Sequence, residues 1–264
     1  MKYLFKEWRV VADRLSGKFV MLFLDYDGTL APIADEPGKA VFPKNTKRML
    51  GLLAKSPRRK VVIVSGRTVK DIKKLVGLRD IVYIGNHGLE IDGPKAAFKA
   101  KISAGDKAAL KVIKDTLALE LSAIDGLLIE DKGLTISVHY RLVGKNDLAA
   151  VKNTFRRVVG PYLLRREVRV ISGKKVLEVG PPAAIDKGSA VERLIESEKA
   201  LCGDRRIAPV YVGDDTTDED AFKMLKNNGL TVFVGDPRRA SAARYYVKDT
   251  KEAALFLSRL EKIL

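Results

Sequence analysis

Phe19-Val20-Met21-Leu22-Phe23-Leu24-Asp25-Tyr26-Asp27-Gly28-Thr29-Leu30 opens with six apolar residues and stops at two carboxylates spaced i, i+2. An apolar run of this length, closed by a turn-forming Gly-Thr, reads as a strand buried on both faces of a parallel sheet. Ligands of open α/β sheets bind beyond the carboxyl ends of such strands. Asp25 and Asp27 therefore stand where chemistry is expected. Successive strand residues alternate in direction, so the two carboxylates project the same way if the strand continues, while Tyr26 turns into packing.

The surrounding chain supports a parallel sheet. Residues 1–18 read as a short helix and turn, with Leu4, Trp8, Val11 and Leu15 at helical spacing. A loop with three prolines follows the first strand over Ala31 to Pro43, then a helix at 44–55 with Asn45 or Thr46 as its cap. Val61–Val64 is a second buried strand ending in Ser65-Gly66-Arg67, and Thr68 caps a helix at 68–76. Ile81–Ile84 is a third, ending in Gly85-Asn86-His87-Gly88. Strands alternating with helices predict βαβ units.

From residue 95 the pattern changes to α-β-β-α-β-β: a helix over 107–121, a hairpin of 126–130 with 134–140, a helix over 146–159, and a hairpin of 168–172 with 175–179. The α/β pattern resumes after 183. A helix opens at Lys187, a strand spans Pro209–Gly213 and runs into Asp214-Asp215-Thr216-Thr217-Asp218, and a helix covers 218–227. A strand over 230–234 and a helix over 251–263 complete the chain. The expected organisation is a discontinuous Rossmann-like core, 1–94 with 183–264, and an inserted antiparallel α+β domain, 95–182, with Pro94 and Pro181-Pro182 at its edges.

Composition narrows the function. No apolar run is long enough to span a bilayer, and the charged N-terminus, with Lys6, Glu7 and Arg9, argues against a secretory signal. A single cysteine, Cys202, excludes an intrachain disulfide and a cysteine zinc site. A soluble cytoplasmic protein is expected. The 264 residues carry 49 Lys+Arg against 33 Asp+Glu, a net charge of +16. The inserted segment contributes 17 against 9, a net of +8. Such charge suits an anionic partner, and equally a heat-adapted surface. The basic residues are not interleaved with aromatics, as single-strand binders require, so nucleic acid is not expected.

Asp25 with Asp27, Ser65, Lys187, and Asp214 with Asp215 and Asp218 all fall at strand ends or helix starts of one core. Carboxylates converging at one sheet edge repel unless a cation lies between them, and an all-oxygen donor set suits Mg²⁺. A carboxylate beside Mg²⁺ can attack phosphorus, a second can move the leaving-group proton, and Ser65 with Lys187 can bind phosphoryl oxygens. A calcium loop at Asp25 lacks its closing glutamate. Each motif also has a plainer role: a turn, a helix cap, a surface lysine, an acidic helix start.

Leu24-Asp25-Tyr26-Asp27-Gly28-Thr29-Leu30, Ser65, Lys187 and Gly213-Asp214-Asp215 resemble the four motifs of the haloacid dehalogenase-like phosphatases. Within that superfamily the chain is most similar to the trehalose-6-phosphate phosphatases. The segments that carry this are LDYDGTLAPI (24–33), IVSGR (63–67), GNHGLEI (85–91), IEDKGLTISVH (129–139) and GDDTTDEDAF (213–222). The resemblance implies an Mg²⁺-dependent trehalose-6-phosphate phosphatase acting through an aspartyl-phosphate. Asp25 would be the nucleophile and Asp27 the general acid/base. Asp25, the Asp27 carbonyl and Asp214 would hold the metal, with Asp215 and Asp218 nearby, and Ser65, Gly66 and Lys187 would bind phosphate. Arg67, Asn86, His87 and Glu90 in the core, and Glu130, Lys132, Arg141 and Glu178 in the cap, would recognise the sugar. Gly180 departs from the pattern, since related sequences usually carry Lys or Arg there. Sucrose 6-phosphate or mannosyl-3-phosphoglycerate is the alternative substrate, a non-catalytic domain docking on trehalose-phosphate synthase the alternative role.

Overall fold

The computed structural model describes residues 1–34, 40–202 and 206–263, with Cys202 described by its backbone alone. It forms two compact units, Met1–Lys99 with Ile185–Leu264 and Ala100–Ala184. No helix among the described residues is long and apolar enough to cross a membrane.

The first unit is built on a nine-stranded sheet. In chain order its strands are β1 (Lys2–Tyr3), β2 (Phe19–Asp25), β3 (Arg59–Val64), β4 (Val82–Gly85), β5 (Glu90–Gly93), β6 (Ala96–Lys99), β11 (Ile207–Gly213), β12 (Leu230–Val234) and β13 (Tyr245–Val247). Their spatial order is β1-β13-β12-β11-β2-β3-β4-β5-β6. Every pairing from β1 to β4 is parallel, and β4–β5–β6 close the sheet as an antiparallel meander. The central strand is β2, with β3 and β11 at its sides. Asp25 is in register with Val64, and Leu24 with Val212. The residues that follow β2, β3 and β11 therefore meet at one sheet edge.

Strand alternation assigns the faces. Val20, Leu22, Leu24 and Tyr26 pack in one core with α1 (Trp8–Leu15), α2 (Lys44–Lys55), α3 (Val69–Val76) and α8 (Thr250–Ile263). Met21 and Phe23 pack in another, against α6 (Lys187–Cys202) and α7 (Glu219–Leu225). Each fully buried Leu, Val or Phe contributes about 1.5–3 kcal/mol. Asp25 shares the parity of Met21 and Phe23, which turns it towards the side where α6 begins.

The second unit has a four-stranded antiparallel sheet in the order β7-β8-β10-β9: β7 (Leu128–Asp131), β8 (Ile136–His139), β9 (Arg169–Gly173) and β10 (Val176–Gly180). One face packs on α4 (Ala104–Glu120) and α5 (Leu148–Leu164) through Ile113, Leu117, Val151, Phe155, Ile136, Val138 and Val179.

Several expectations change. Pro94 lies inside the β5–β6 turn, so residues 95–99 belong to the core sheet and not to the insert. The helix at 44–55 starts after Pro43 without a side-chain cap; neither Asn45 nor Thr46 serves. The α5 helix runs through Pro161 to Leu164 instead of stopping at 159. The N-terminal segment begins with β1, which pairs with β13; neither strand is visible in the residue pattern. Of the expected 31–43 loop, residues 35–39 lie outside the described residues.

Candidate active site

The site is centred on Lys187, the first residue of α6. Its helix start is fixed by a reciprocal cap: Ser189 N–H donates to Asp186 Oδ1 at 2.7 Å, and Asp186 N–H donates to Ser189 Oγ at 2.9 Å. Lys187 Nζ then donates to Asp25 Oδ1 and to Asp218 Oδ1, both at 2.7 Å. All three side chains are buried. Asp218 also accepts from Tyr211 Oη at 2.8 Å and from the backbone N–H groups of Asp214 and Asp215, each at 2.9 Å. Four donors thus occupy the two Asp218 oxygens, the full lone-pair capacity of a carboxylate.

Asp214 sits at the end of β11, where Thr29 Oγ1 donates to its Oδ1 at 3.1 Å. Gly28 is what permits this approach. Its φ of +93° suits glycine, and a Cβ there would lie 2.2 Å from Asp214 Oδ2.

Asp25, Asp214 and Asp218 each present an oxygen, all within 4.8 Å of one another. Two of these carboxylates share the Lys187 ammonium, and the third, Asp214, is buried beside them. Burial pushes the Asp25 carboxyl well above the usual range, with the charges of Asp218 and Asp214 adding to it and Lys187 opposing. Burial also opposes ionisation of Asp218, but the Lys187 ammonium and its hydrogen bonds hold its pKa below the ordinary value. Burial works against the Lys187 charge too; Asp218 and Asp25 outweigh it and raise its pKa. Asp25 and Asp214 are the two carboxylates of this group other than the four-donor Asp218. A hard cation fits these oxygens, since Asp218 is already saturated.

Asp27 stands outside that group. Arg67 Nε donates to its Oδ2 at 2.7 Å and Arg67 Nη2 to its Oδ1 at 2.6 Å, a two-pronged pair. Arg67, expected at the sugar, is here the partner of the expected acid/base. Ser65 is buried at the end of β3, and its Oγ accepts from Arg67 N–H at 3.1 Å. The His87 ring packs so closely on Gly66 that a Cβ there would lie 2.5 Å from His87 Nε2.

Asn86 and His87 both have left-handed backbone, φ 47° and 54°, an uncommon conformation outside glycine. Hydrogen bonds hold them there. Asn86 N–H donates to Arg67 O at 2.7 Å and His87 N–H to Ser65 O at 3.2 Å. Asn86 Nδ2 donates to Glu90 Oε2 at 2.9 Å, an oxygen that also accepts from Val69 N–H at 3.3 Å. Asn86 and Glu90 thus brace the Ser65–Arg67 loop.

In the second unit, Glu130 pairs with His139 Nε2 at 2.8 Å, and that hydrogen bond draws the Glu130 carboxyl below its usual range. Lys132 Nζ donates to Glu178 Oε2 at 2.7 Å, and Arg141 Nη2 to the carbonyl of Lys174 at 2.7 Å. Gly180 is close-packed: a Cβ would lie 2.9 Å from Thr135 Cγ2, a steric reason for the missing side chain.

The sequence did not single out Thr29, Tyr211, Ser137 or Arg239. Arg239, from the loop after β12, donates through Nη1 to Asp214 O at 3.1 Å and lies 3.7 Å from Asp215 Oδ1. Thr29 lay within the quoted first motif. Arg239 had no local signal, because the contact depends on a loop folding back.

The fold is that of a haloacid dehalogenase-like hydrolase, with a cluster of aspartates at the end of its central strands. A haloacid dehalogenase-like hydrolase from B. subtilis superposes with a TM-score of 0.59, at 16% identity over 91% of this chain and 99% of that one. More specifically, residues 23–251 match the trehalose-phosphatase family, and the chain belongs to it. A probable trehalose-phosphate phosphatase 3 of Oryza sativa subsp. japonica is 34% identical over 96% of this chain and 72% of its own length. A probable trehalose-phosphate phosphatase H of Arabidopsis thaliana is 35% identical over 92% and 72%. The C-terminal domain of C. albicans trehalose-6-phosphate phosphatase superposes with a TM-score of 0.81 at 23% identity, over 100% of this chain and 98% of that one.

Proposed function

We propose that this phosphatase hydrolyses trehalose 6-phosphate to trehalose and phosphate, through an aspartyl-phosphate on Asp25 and with Mg²⁺ as cofactor. Family membership supports the substrate. The observation that carries the mechanism is the contact of Lys187 with Asp25, which puts a fixed cation on the nucleophile at the end of the central strand.

Asp25, Asp214 and the Asp27 carbonyl would hold Mg²⁺, which supplies positive charge to the phosphoryl oxygens. In the first step an Asp25 oxygen forms a bond to phosphorus and the bond from phosphorus to the sugar oxygen breaks. Asp27 gives its proton to that oxygen. In the second step Asp27, now a carboxylate, takes a proton from water as the water oxygen bonds to phosphorus. The bond to Asp25 breaks and phosphate leaves. For Asp27 to carry a proton, Arg67 must yield one of its two oxygens when substrate binds. Ser65, the Gly66 backbone and Lys187 bind the transferring group, and Lys187 offsets the charge that returns to Asp25 when its bond to phosphorus breaks. Glu130, Lys132, Arg141 and Glu178 recognise the sugar. A cytoplasmic location and a trehalose-phosphate synthase partner complete the proposal; co-purification of the two proteins tests the partner.

Phosphate release from trehalose 6-phosphate, sucrose 6-phosphate and mannosyl-3-phosphoglycerate, with Mg²⁺ or with chelator, is the decisive measurement. Trehalose 6-phosphate should have the highest kcat/KM, chelator should abolish turnover, and Asp25→Asn should be inert while folded. Preference for another sugar phosphate overturns the substrate. Substantial turnover by Asp25→Asn overturns the mechanism.

A further inference from the structure

Asp214 is held from three directions. Its backbone N–H donates to Asp218 Oδ2 at 2.9 Å, and its Oδ1 accepts from Thr29 Oγ1 at 3.1 Å. Its carbonyl accepts from Arg239 Nη1 at 3.1 Å. The first two partners lie in the motifs that follow β11 and β2. Arg239 comes from the loop after β12 and belongs to no motif.

That loop is tied down on both sides of the arginine. Gly235 N–H donates to Val247 O at 2.9 Å. Asp236 then closes a turn: its Oδ1 accepts from Arg238 N–H at 3.0 Å and its carbonyl from Arg239 N–H at 3.1 Å. Beyond the turn, Ala242 N–H donates to Glu219 Oε2 at 2.8 Å, which fastens the loop to the start of α7. The two arginines diverge. The Arg238 side chain pairs with Asp236 and is 89% exposed. That of Arg239 is 34% exposed, with its guanidinium carbon 5.6 Å from the centre of the Phe233 ring.

Arg239 also lies 3.7 Å from Asp215 Oδ1. Both side chains reach water, and ion pairs of that kind contribute little. The bond to the Asp214 carbonyl is charge-assisted and directional. It holds the peptide that follows Asp214, and Asp218 holds the peptide that precedes it. The backbone of Asp214 cannot rotate without breaking one of these bonds, so the direction of its carboxylate beside Asp25 and Asp218 is set from both peptides.

We infer that Arg239 is a positioning residue for the metal site: by holding the peptide after Asp214, it keeps that carboxylate oriented for Mg²⁺. This rests on the Mg²⁺ reading above and adds a residue which that reading does not use.

The test uses the full chain with Arg239→Met, which keeps an apolar stem beside Phe233 but has no donor, and Arg239→Lys, which keeps one. Mg²⁺ alone is titrated into each protein by calorimetry, without substrate, and Tm is measured with and without Mg²⁺. Arg239→Met should weaken Mg²⁺ binding about tenfold and shrink the rise in Tm that Mg²⁺ produces. Half-maximal phosphate release should need about tenfold more Mg²⁺, with kcat recovered at saturation. Arg239→Lys should regain most of the affinity. Charge acting through space has the opposite sign, since removal of a cation beside Asp214 and Asp215 would tighten Mg²⁺ binding. Unchanged or tighter binding by Arg239→Met therefore overturns the inference. So does equal weakening in both variants with a matching loss of Tm in the absence of Mg²⁺, the mark of a purely structural role. A wild type that takes up no Mg²⁺ overturns the cofactor reading and this inference together; a wild type that binds Mg²⁺ no better than Arg239→Met overturns this inference alone.

Discussion

Asp218 accepts from a lysine, a tyrosine and two backbone N–H groups, and this order explains what its replacement should do. In Asp218→Asn one of the two oxygens becomes an NH₂ donor, which then faces other donors whichever way the amide turns. Lys187 keeps Asp25 as its carboxylate partner, but the buried charge balance is broken. Loss of one partner from a buried ion pair costs about 3–5 kcal/mol. Denaturant unfolding of Asp218→Asn should show a loss of that size, and phosphate release should fall with it. Gly28 makes a different demand. Alanine there meets Asp214 Oδ2 and must adopt a backbone that L-residues rarely take. Gly28→Ala should lower stability by about 1–3 kcal/mol and displace Asp214, measurable as a lower Tm and weaker retention of Mg²⁺.

Among the elements, α3 is held at both ends by the residues that flank it, of which Thr68 was expected as its cap. Thr68 Oγ1 accepts from Asp71 N–H at 3.1 Å, and Gly77 closes the helix in the left-handed region. Thr68→Ala should cost about 1 kcal/mol in a urea titration, with activity reduced because the Ser65–Arg67 loop feeds directly into this cap. The start of α3 was readable because its signal, Thr68, directly precedes the helix. The α2 start at residue 44 was also as expected, but its cap was not, since Pro43 precedes the helix and no side chain caps it. The short strands β1 and β13 have two and three residues, too few to show alternation. They exist because each completes hydrogen bonds of a neighbour far away in sequence. The β5–β6 hairpin was hidden by Pro94, which reads as a boundary but serves a turn with Lys95 at φ 57°. The candidate site was more legible: Asp25, Ser65, Lys187 and Asp214 each sit at the end of a long apolar strand or the start of a well-capped helix.

At the scale of the molecule, pH acts through buried tyrosines. Burial lifts both Tyr26 and Tyr83 to about 12. Below the ordinary tyrosine pKa, folded and unfolded chains are equally protonated and nothing is lost. As pH rises above about 10 the unfolded chain ionises while the folded one does not, so stability should fall progressively towards pH 12. Denaturation at stepped alkaline pH, followed by tyrosinate absorbance, should show ionisation coinciding with unfolding, and Tyr83→Phe should shift the midpoint upward. The amino-acid sequence by itself determined the parallel α/β core, the inserted α-β-β-α-β-β pattern and the residue types at the strand ends, because apolar periodicity and turn chemistry are local properties. Tertiary structure alone decided the partners. Asp27 lies against Arg67, Asn86 and Glu90 brace a loop, Asp218 accepts from Lys187 and Tyr211 as well as two backbone N–H groups, and Ser137 stands between two glutamates. These depend on strand order and register, which pair residues far apart in the chain, 162 positions in the case of Lys187 and Asp25. Phe19 to Leu30 announced two carboxylates at the end of a buried strand. Strand parity sent Asp25 towards Lys187 and Tyr26 into the core, a direction that acquired its chemistry only when α6 packed on that face.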